Sequence, residues 1–188
     1  MIRYDILKEI LPIIKDQFIV CNIGLPSQEL YQLNDKPTNF YMLGTMGLAS
    51  SIGLGIALSQ KKKIISIDGD GSILTNLGTL STIANNVANN FILLIIDNGS
   101  YGSTGDQLTY AGKKTSLTDI ARACGCENVV ECQAEETAAI LKSALKSEKM
   151  TIIVAKCKSG NVKVPVIEVD PVIIRHRFMT ELKNKNVI

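Results

Sequence analysis

The sequence predicts an α/β fold, a single domain with a mostly parallel central sheet flanked by helices. Three observations predict it. Two apolar runs, KIISI at 63–67 and FILLII at 91–96, lack the polar alternation of a half-exposed strand, which marks strands buried on both faces of a parallel sheet. Between them, LGTLSTIANN at 77–86 has helical spacing, giving a strand–helix–strand unit with a right-handed crossover. The rest of the chain keeps alternating short buried runs with amphipathic ones, the pattern of helices packed on a parallel sheet.

Taken in order, IRYDILKEILPII carries apolar residues at helical spacing, so 2–15 reads as an amphipathic helix. FIVCNI at 18–23 is a short buried strand ended by Gly24 and Pro26, and Ser27 is placed to cap a helix through Tyr31. NFYML at 39–43 is a short strand, GTMG at 44–47 a loop, and LASSIGLGIALS at 48–59 a helix of small residues suited to close approach by another backbone or a ligand. After FILLII, the segment GSYGSTGDQLTYAGKK is long for a loop in a compact domain, which points to function or mobility. A helix near 117–124, a strand near 129–132, a helix at 134–147 and a strand at 151–156 follow. VPVIEVDP is extended and 171–183 is a terminal helix, so residues 1–188 read as one domain with a C-terminal tail from about 166.

Composition narrows the functions open to this chain. Its 188 residues are 46% hydrophobic, enough for a core, and the net charge of +2 is near neutral. With 5% aromatic residues and no Trp, it lacks the basic, aromatic-laced groove that nucleic acid requires. The five cysteines are Cys21, Cys124, Cys126, Cys132 and Cys157, an odd number without a C-x-x-C, which speaks against a disulfide framework, zinc and iron–sulfur clusters. Cys124 and Cys126 end an apolar pattern and read as buried, reduced thiols. The single histidine, His176, reads as a helix-surface residue. Charged residues interrupt every N-terminal apolar run and FILLII is far too short to span a bilayer, so the expectation is a soluble, cytoplasmic protein with neither membrane nor nucleic acid as partner.

The chemistry concentrates in two strand ends, Asp68-Gly69-Asp70-Gly71-Ser72 and Asp97-Asn98-Gly99-Ser100. Open parallel sheets bind ligands beyond the carboxyl ends of their strands. The glycines permit a tight turn with backbone N–H groups free at a helix start, an anion site. A bare aspartate there repels a phosphate, and a divalent cation turns that repulsion into a bridge. Mg²⁺ takes oxygen ligands and shares them between carboxylates and phosphates. Asp70 supplies a carboxylate, Asn98 an amide oxygen and Ser100 a backbone carbonyl. Two alternatives stand beside this reading. One is a dinucleotide site of the G-x-G-x-x-G kind, with Gly69 and Gly71 in place, Leu74 at the third glycine and Asp97 as the ribose acid. The other is a glycine turn with a purely structural role.

GDG followed some 26 residues later by an asparagine at a strand end resembles the signature of thiamine-diphosphate enzymes. YMLGTMGLASSIGLGIAL upstream, IDGDGSILTNLGTLSTIAN, DNGSYGSTGDQLT and NVKVP further resemble the family of sulfopyruvate decarboxylase β subunits, and are similar to the C-terminal half of phosphonopyruvate decarboxylase. The resemblance runs from about Val20 to Pro165. It implies the diphosphate-binding domain of a thiamine-diphosphate-dependent 2-oxoacid decarboxylase, with thiamine diphosphate and Mg²⁺ as cofactors. Asp70 and Asn98 would bind the metal by side chain and Ser100 by its carbonyl. Gly69, Gly71, Ser72 and Tyr101 would border the cofactor, Gly71 and Ser72 against the diphosphate. Gly44, Thr45 and Met46 would meet the aminopyrimidine, with Met46 wedged beneath the cofactor; a core methionine is the alternative. Many members have Asn-Asn where this chain has Asp97-Asn98.

The resemblance also implies an absence. The family's activating glutamate belongs to a pyrimidine-binding domain, and neither Glu29 nor Glu135-Glu136 has that context. The chain is therefore expected to carry no catalytic side chain of its own and to be active only in a hetero-oligomer, with an α subunit bringing that domain. The implied reaction is 3-sulfopyruvate to sulfoacetaldehyde and CO₂, on the route to coenzyme M in a methanogen-type setting. The pyruvate analogue phosphonopyruvate and a 2-oxoacid–ferredoxin oxidoreductase subunit remain alternatives. For a sulfonate, Lys156, Lys158, Arg175 and Arg177 are available cations or else charged surface; Tyr101, Ser103 and Thr104 approach the substrate or else form a mobile loop.

Overall fold

The computed structural model describes residues 1–185. Eight strands occur in chain order: β1 (Phe18–Cys21), β2 (Asn39–Tyr41), β3 (Ile64–Gly69), β4 (Phe91–Asp97), β5 (Ser100–Tyr101), β6 (Gln107–Leu108), β7 (Val129–Gln133) and β8 (Thr151–Lys156). Six of them form one wholly parallel sheet in the order β2-β1-β3-β4-β8-β7, and β5 pairs with β6 as a separate antiparallel hairpin. Around the sheet lie α1 (Arg3–Ile10), α2 (Leu25–Asn34), α3 (Ala49–Leu58), α4 (Asp70–Thr75), α5 (Gly78–Asn85), α6 (Leu117–Ala123), α7 (Thr137–Lys146) and α8 (Pro171–Lys185).

The unbroken apolar runs split by pleat between two cores. Phe91, Leu93 and Ile95 of β4 face the layer of α3, α5 and α6; Ile92, Leu94 and Ile96 face the layer of α1, α2 and α7. The central strand is thus covered on both faces, which is why its sequence shows no alternation. Helix α8 adds Phe178 to the first core, edge-on to Phe18 at 5.5 Å. The small-residue helix α3 packs closely on side chains of the sheet: a Cβ on Gly53 would lie 1.9 Å from Ser66 Oγ on β3 and 3.0 Å from the Phe91 ring.

Several boundaries differ from the sequence expectation for local reasons. Helix α1 stops at Ile10 instead of 15: Leu11 caps it in helical geometry, and Pro12 lacks the N–H to continue the ladder. Ser27 is not a cap; α2 starts at Leu25 after Gly24 at φ +76°, and the Ser27 hydroxyl donates to the carbonyls of Cys21 and Asn22. The first two strands end at Cys21 and Tyr41, short of 23 and 43. Gly69-Asp70-Gly71 is not a tight turn: β3 runs directly into α4, with Gly69 extended at φ −104° and Gly71 outside the left-handed region. The long loop after Asn98 contains the β5–β6 hairpin, which the sequence reading did not anticipate. The helix expected at 134–147 opens as a 3₁₀ turn at Ala134–Glu136 before α7. Cys124 is half-buried rather than buried, and no cysteine is paired.

The strand order fixes where a crevice must form. Helix α2 leaves β1 toward one core, while α4 and α5 leave the neighbouring β3 toward the other. Chains departing to opposite faces from adjacent strands leave a gap beyond their carboxyl ends.

Candidate active site

That gap is a cleft of about 310 Å³. Its floor consists of three strand ends: Asn22–Gly24 after β1, Asp68–Gly71 at the end of β3, and Asn98 after β4, with Tyr101 to Thr104 of the hairpin on one side. Of the residues expected from sequence, Met46, Gly69, Asp70, Gly71, Ser72, Asn98, Ser100 and Tyr101 all line it. Gly44 and Thr45 do not. Gly44 borders a separate apolar groove with Pro171 and Ile174, and both residues are exposed.

Asp70 is the first residue of α4 and only 2% exposed. Its Oδ2 accepts a hydrogen bond from the Thr109 hydroxyl at 2.5 Å, and no cationic side chain among the described residues pairs with it. Burial pushes this carboxyl up to about 6; the Thr109 hydroxyl opposes the rise and the nearby Asp97 charge adds to it. Asp68, also buried, is likewise raised to about 6 by desolvation, and its Oδ2 has no hydrogen-bond partner. Two acidic groups therefore share a cleft without a free cation. Asp97 differs: Lys156 Nζ pairs with its Oδ2, and the Gly99 N–H donates to its Oδ1 at 3.1 Å.

Asn98 turns its amide oxygen back on the loop, accepting from the Ser100 N–H at 3.2 Å. The Ser100 hydroxyl donates to Asp106 Oδ1 at 2.6 Å, and Ser159 donates to the same oxygen. These hydroxyls hold the exposed Asp106 carboxyl below the usual range. Tyr101 explains Gly71: a Cβ there would sit 2.3 Å from the tyrosine ring. Ser72 ties the floor to the wall, its hydroxyl accepting from the Gly47 N–H at 2.9 Å and donating to Asn22 Oδ1 at 3.2 Å. Gly47 ends a strained loop in which Thr45, a β-branched residue, has φ +64° and Gly47 φ +92°. That loop presents Met46, 39% exposed, to the cleft, so Met46 is not a core methionine.

Sequence reasoning missed Arg3, Asn22–Gly24 and Thr109, and gave Asp68 no role of its own within the strand-end motif. Asn22-Ile23-Gly24 follows a buried strand and was legible by the rule that served Asp70 and Asn98. Arg3 and Thr109 carried no signal, since each reaches the site from a distant segment. None of Lys156, Lys158, Arg175 and Arg177 lines the cleft; Lys156 is bound to Asp97 and Arg177 to Asp35. Ser103 and Thr104 do line it. His176 is exposed on α8. Burial pushes the thiols of Cys21 and Cys157 up to about 12, so neither is a ready nucleophile.

The donor set is suited to a hard cation. Among the described residues no three His, Cys, Asp or Glu side chains converge as a metal cage. What the cleft offers is two carboxylates, Asp68 and Asp70, without a cationic partner among the described residues, together with the Asn98 amide and backbone groups, the partial oxygen shell that Mg²⁺ completes with phosphate and water.

The family model for the thiamine pyrophosphate enzyme, C-terminal TPP binding domain, matches residues 22–155. The chain is 51% identical to the sulfopyruvate decarboxylase subunit beta of Methanocaldococcus jannaschii over 96% of its own length and 97% of that protein's. It is 39% identical to the sulfopyruvate decarboxylase of Methanosarcina acetivorans, covering 98% of this chain but only 48% of that longer protein. Among solved structures, the 2-oxoglutarate:ferredoxin oxidoreductase from Magnetococcus marinus superimposes with a TM-score of 0.70 at 17% identity, over 86% of this chain and 63% of that one. At that identity the likeness speaks to fold. No helix among the described residues is long and apolar enough to cross a membrane.

Proposed function

The chain belongs to the thiamine pyrophosphate enzyme family, as a C-terminal TPP-binding domain of the sulfopyruvate decarboxylase β-subunit type, and on that premise we propose that it is the β half of a split decarboxylase. The reaction is 3-sulfopyruvate to sulfoacetaldehyde and CO₂, a step toward coenzyme M, performed in the cytoplasm by a hetero-oligomer with an α subunit. The observation that carries the reading is the buried Asp70 carboxylate, unpaired with any cation at the switch-point crevice.

Asp70, the Asn98 amide oxygen and the Ser100 carbonyl would hold Mg²⁺. Gly71 and Ser72 would lie against the diphosphate, with Gly69 and Tyr101 bordering the cofactor. Ser72 does a second job, fixing Gly47 and through it the loop that carries Met46 to the cleft, where Met46 would support the cofactor. Thiamine diphosphate supplies the carbon nucleophile and the electron sink for loss of CO₂. This chain's part is to anchor and orient; the glutamate that activates the cofactor comes from the α subunit. The M. acetivorans relative, about twice the length covered here, is consistent with two halves joined in one chain. A dinucleotide site is disfavoured because Asp97, the would-be ribose acid, is bound to Lys156.

The test is calorimetric titration of thiamine diphosphate, with and without Mg²⁺, into the complex of this chain with its α subunit and into each chain alone. Tight, Mg²⁺-dependent binding confined to the complex, with CO₂ release from sulfopyruvate, is the expected result. Absence of binding by a verified complex overturns the reading.

A further inference from the structure

Arg3 is the only basic side chain among the residues lining the cleft. It is 7% exposed and held as a fork: Nε donates to Glu29 Oε2 at 2.8 Å and Nη2 to Glu29 Oε1 at 2.9 Å. Nη2 also donates to Asn161 Oδ1 at 2.9 Å, and the Asn161 amide nitrogen donates to the Gly102 carbonyl at 3.0 Å. Three of the five guanidinium N–H groups are spent in this way. The two on Nη1 have no partner among the described residues, yet Nη1 is not among the sealed, unsatisfied atoms, so it reaches accessible space.

A buried ion pair is an expensive way to join two helices, since apolar residues of similar volume serve as well or better. Its placement in the wall of an anion-binding cleft gives it another use. Glu29, fully buried, clamps the guanidinium plane and cancels its charge, so the open cleft carries no unpaired cation. What remains is a fixed pair of N–H donors on Nη1. Asp68 and Asp70 make the floor acidic, and Arg3 stands in the wall of the same cleft, tied through Asn161 to the Gly102 carbonyl.

We infer that Arg3 recognises the acidic head of the substrate, a tetrahedral oxyanion on C3 of a 2-oxoacid, through Nη1. Arg3 is a specificity-determining residue, and Glu29 and Asn161 are its positioning partners. This rests on the decarboxylase reading above.

The experiment uses the assembled complex and compares kcat/KM for sulfopyruvate, phosphonopyruvate and pyruvate, the last lacking the head group. Arg3→Lys keeps a charge for Glu29 but loses Nη1. It is expected to lower the sulfopyruvate-to-pyruvate ratio at least about tenfold, chiefly through KM, with a parallel fall for phosphonopyruvate and an unaltered Kd for thiamine diphosphate. Asn161→Ala leaves the ion pair intact and frees Nη2, and is expected to lower the ratio by a smaller factor. Equal losses on all three acids overturn the inference, as does a loss confined to thiamine diphosphate affinity. Failure of Arg3→Lys to assemble, with selectivity kept in Asn161→Ala, overturns it too and leaves the pair as a strut. If the wild-type complex does not turn over sulfopyruvate, the decarboxylase reading fails separately. Titration with sulfoacetate then decides Arg3 alone: binding to wild type that is lost in Arg3→Lys supports the inference, and equal or absent binding in both overturns it.

Discussion

The two ends of the sheet hold cavities of similar size and opposite character. The carboxyl end has the cleft of about 310 Å³; the amino end has one of about 390 Å³ lined by Ala84, Asn89, Glu127 and Lys149 among others. Beside the amino-end cavity, two polar side chains are spent on backbone. The Asn90 amide donates to the carbonyls of Ala57, Gln60 and Lys62, and Lys63 Nζ donates to those of Asn89 and Ser147. The orphan nearby is one amide nitrogen, Gln60 Nε2. At the carboxyl end two buried acids lack a cation and a β-branched residue is held at positive φ. Volume does not distinguish the two. Unspent electrostatics and stored strain do, because folding alone gives no reason to keep either.

Substitutions at the two ends should therefore fail in different ways. The largest effect is expected at Asp70. Asp70→Asn should weaken Mg²⁺-dependent binding of thiamine diphosphate by about a hundredfold or more, while leaving the melting temperature of the ligand-free protein equal or higher at pH 8, since a buried charge has been removed. Calorimetry and thermal melting on the same sample check both halves. A large fall in ligand-free stability would place Asp70 with the structural residues and erase the contrast.

The second effect is on pH. Asp68 and Asp70 have folded-state values raised from 3.8 to about 6. The folded protein then holds more protons than the unfolded chain between pH 4 and 6, so stability falls as pH rises through that window and stays low above it. A raised value of this size corresponds to roughly 3 kcal/mol per group. Saturating Mg²⁺ with thiamine diphosphate on the complex should flatten the slope, and chelation should restore it; melting curves from pH 4 to 8 read this. A profile insensitive to Mg²⁺ would remove the electrostatic argument for a cation.

At the opposite end, Asn90→Ala removes the donor to three carbonyls and should cost about 1–3 kcal/mol by urea denaturation, with thiamine diphosphate affinity of the complex unchanged. A matching loss of affinity would mean that the ends are coupled through β4. The smallest effect is expected at Thr45→Gly, which relieves the positive φ and should raise stability by about 1 kcal/mol or less while loosening the Met46 loop enough for a few-fold rise in the Kd for thiamine diphosphate.

The fold was legible because burial on both faces leaves a strong mark on sequence. FILLII and KIISI needed only their composition to be recognised, and the alternation of elements gave the parallel class. The cleft was legible as far as single segments carried it, through Asp70, Asn98 and the Met46 loop. It failed where two distant segments meet. Thr109 reaches Asp70 across 39 residues and Arg3 reaches Glu29 across 26, and neither end of such a contact announces the other. The glycines misled in one respect. Gly71 suggested a turn, but its missing Cβ makes room for the Tyr101 ring, a requirement of packing rather than of φ.

Arg3 meets Asn161 across 158 residues, and Ile2 bridges to Lys158, so the first turn of the chain closes on the segment that follows its last strand. That span bears on how the protein is made. Strand β8 lies between β4 and β7, and the sheet stays open until residue 156 has left the ribosome. The cleft wall needs five residues more. During most of synthesis the apolar face of α1, with Ile6, Leu7 and Ile10, waits without its full cover. A fold dominated by such distant closures assembles slowly and exposes sticky surface on the way. The nascent chain is thus most vulnerable to aggregation in the interval before the wall that carries Arg3 can form.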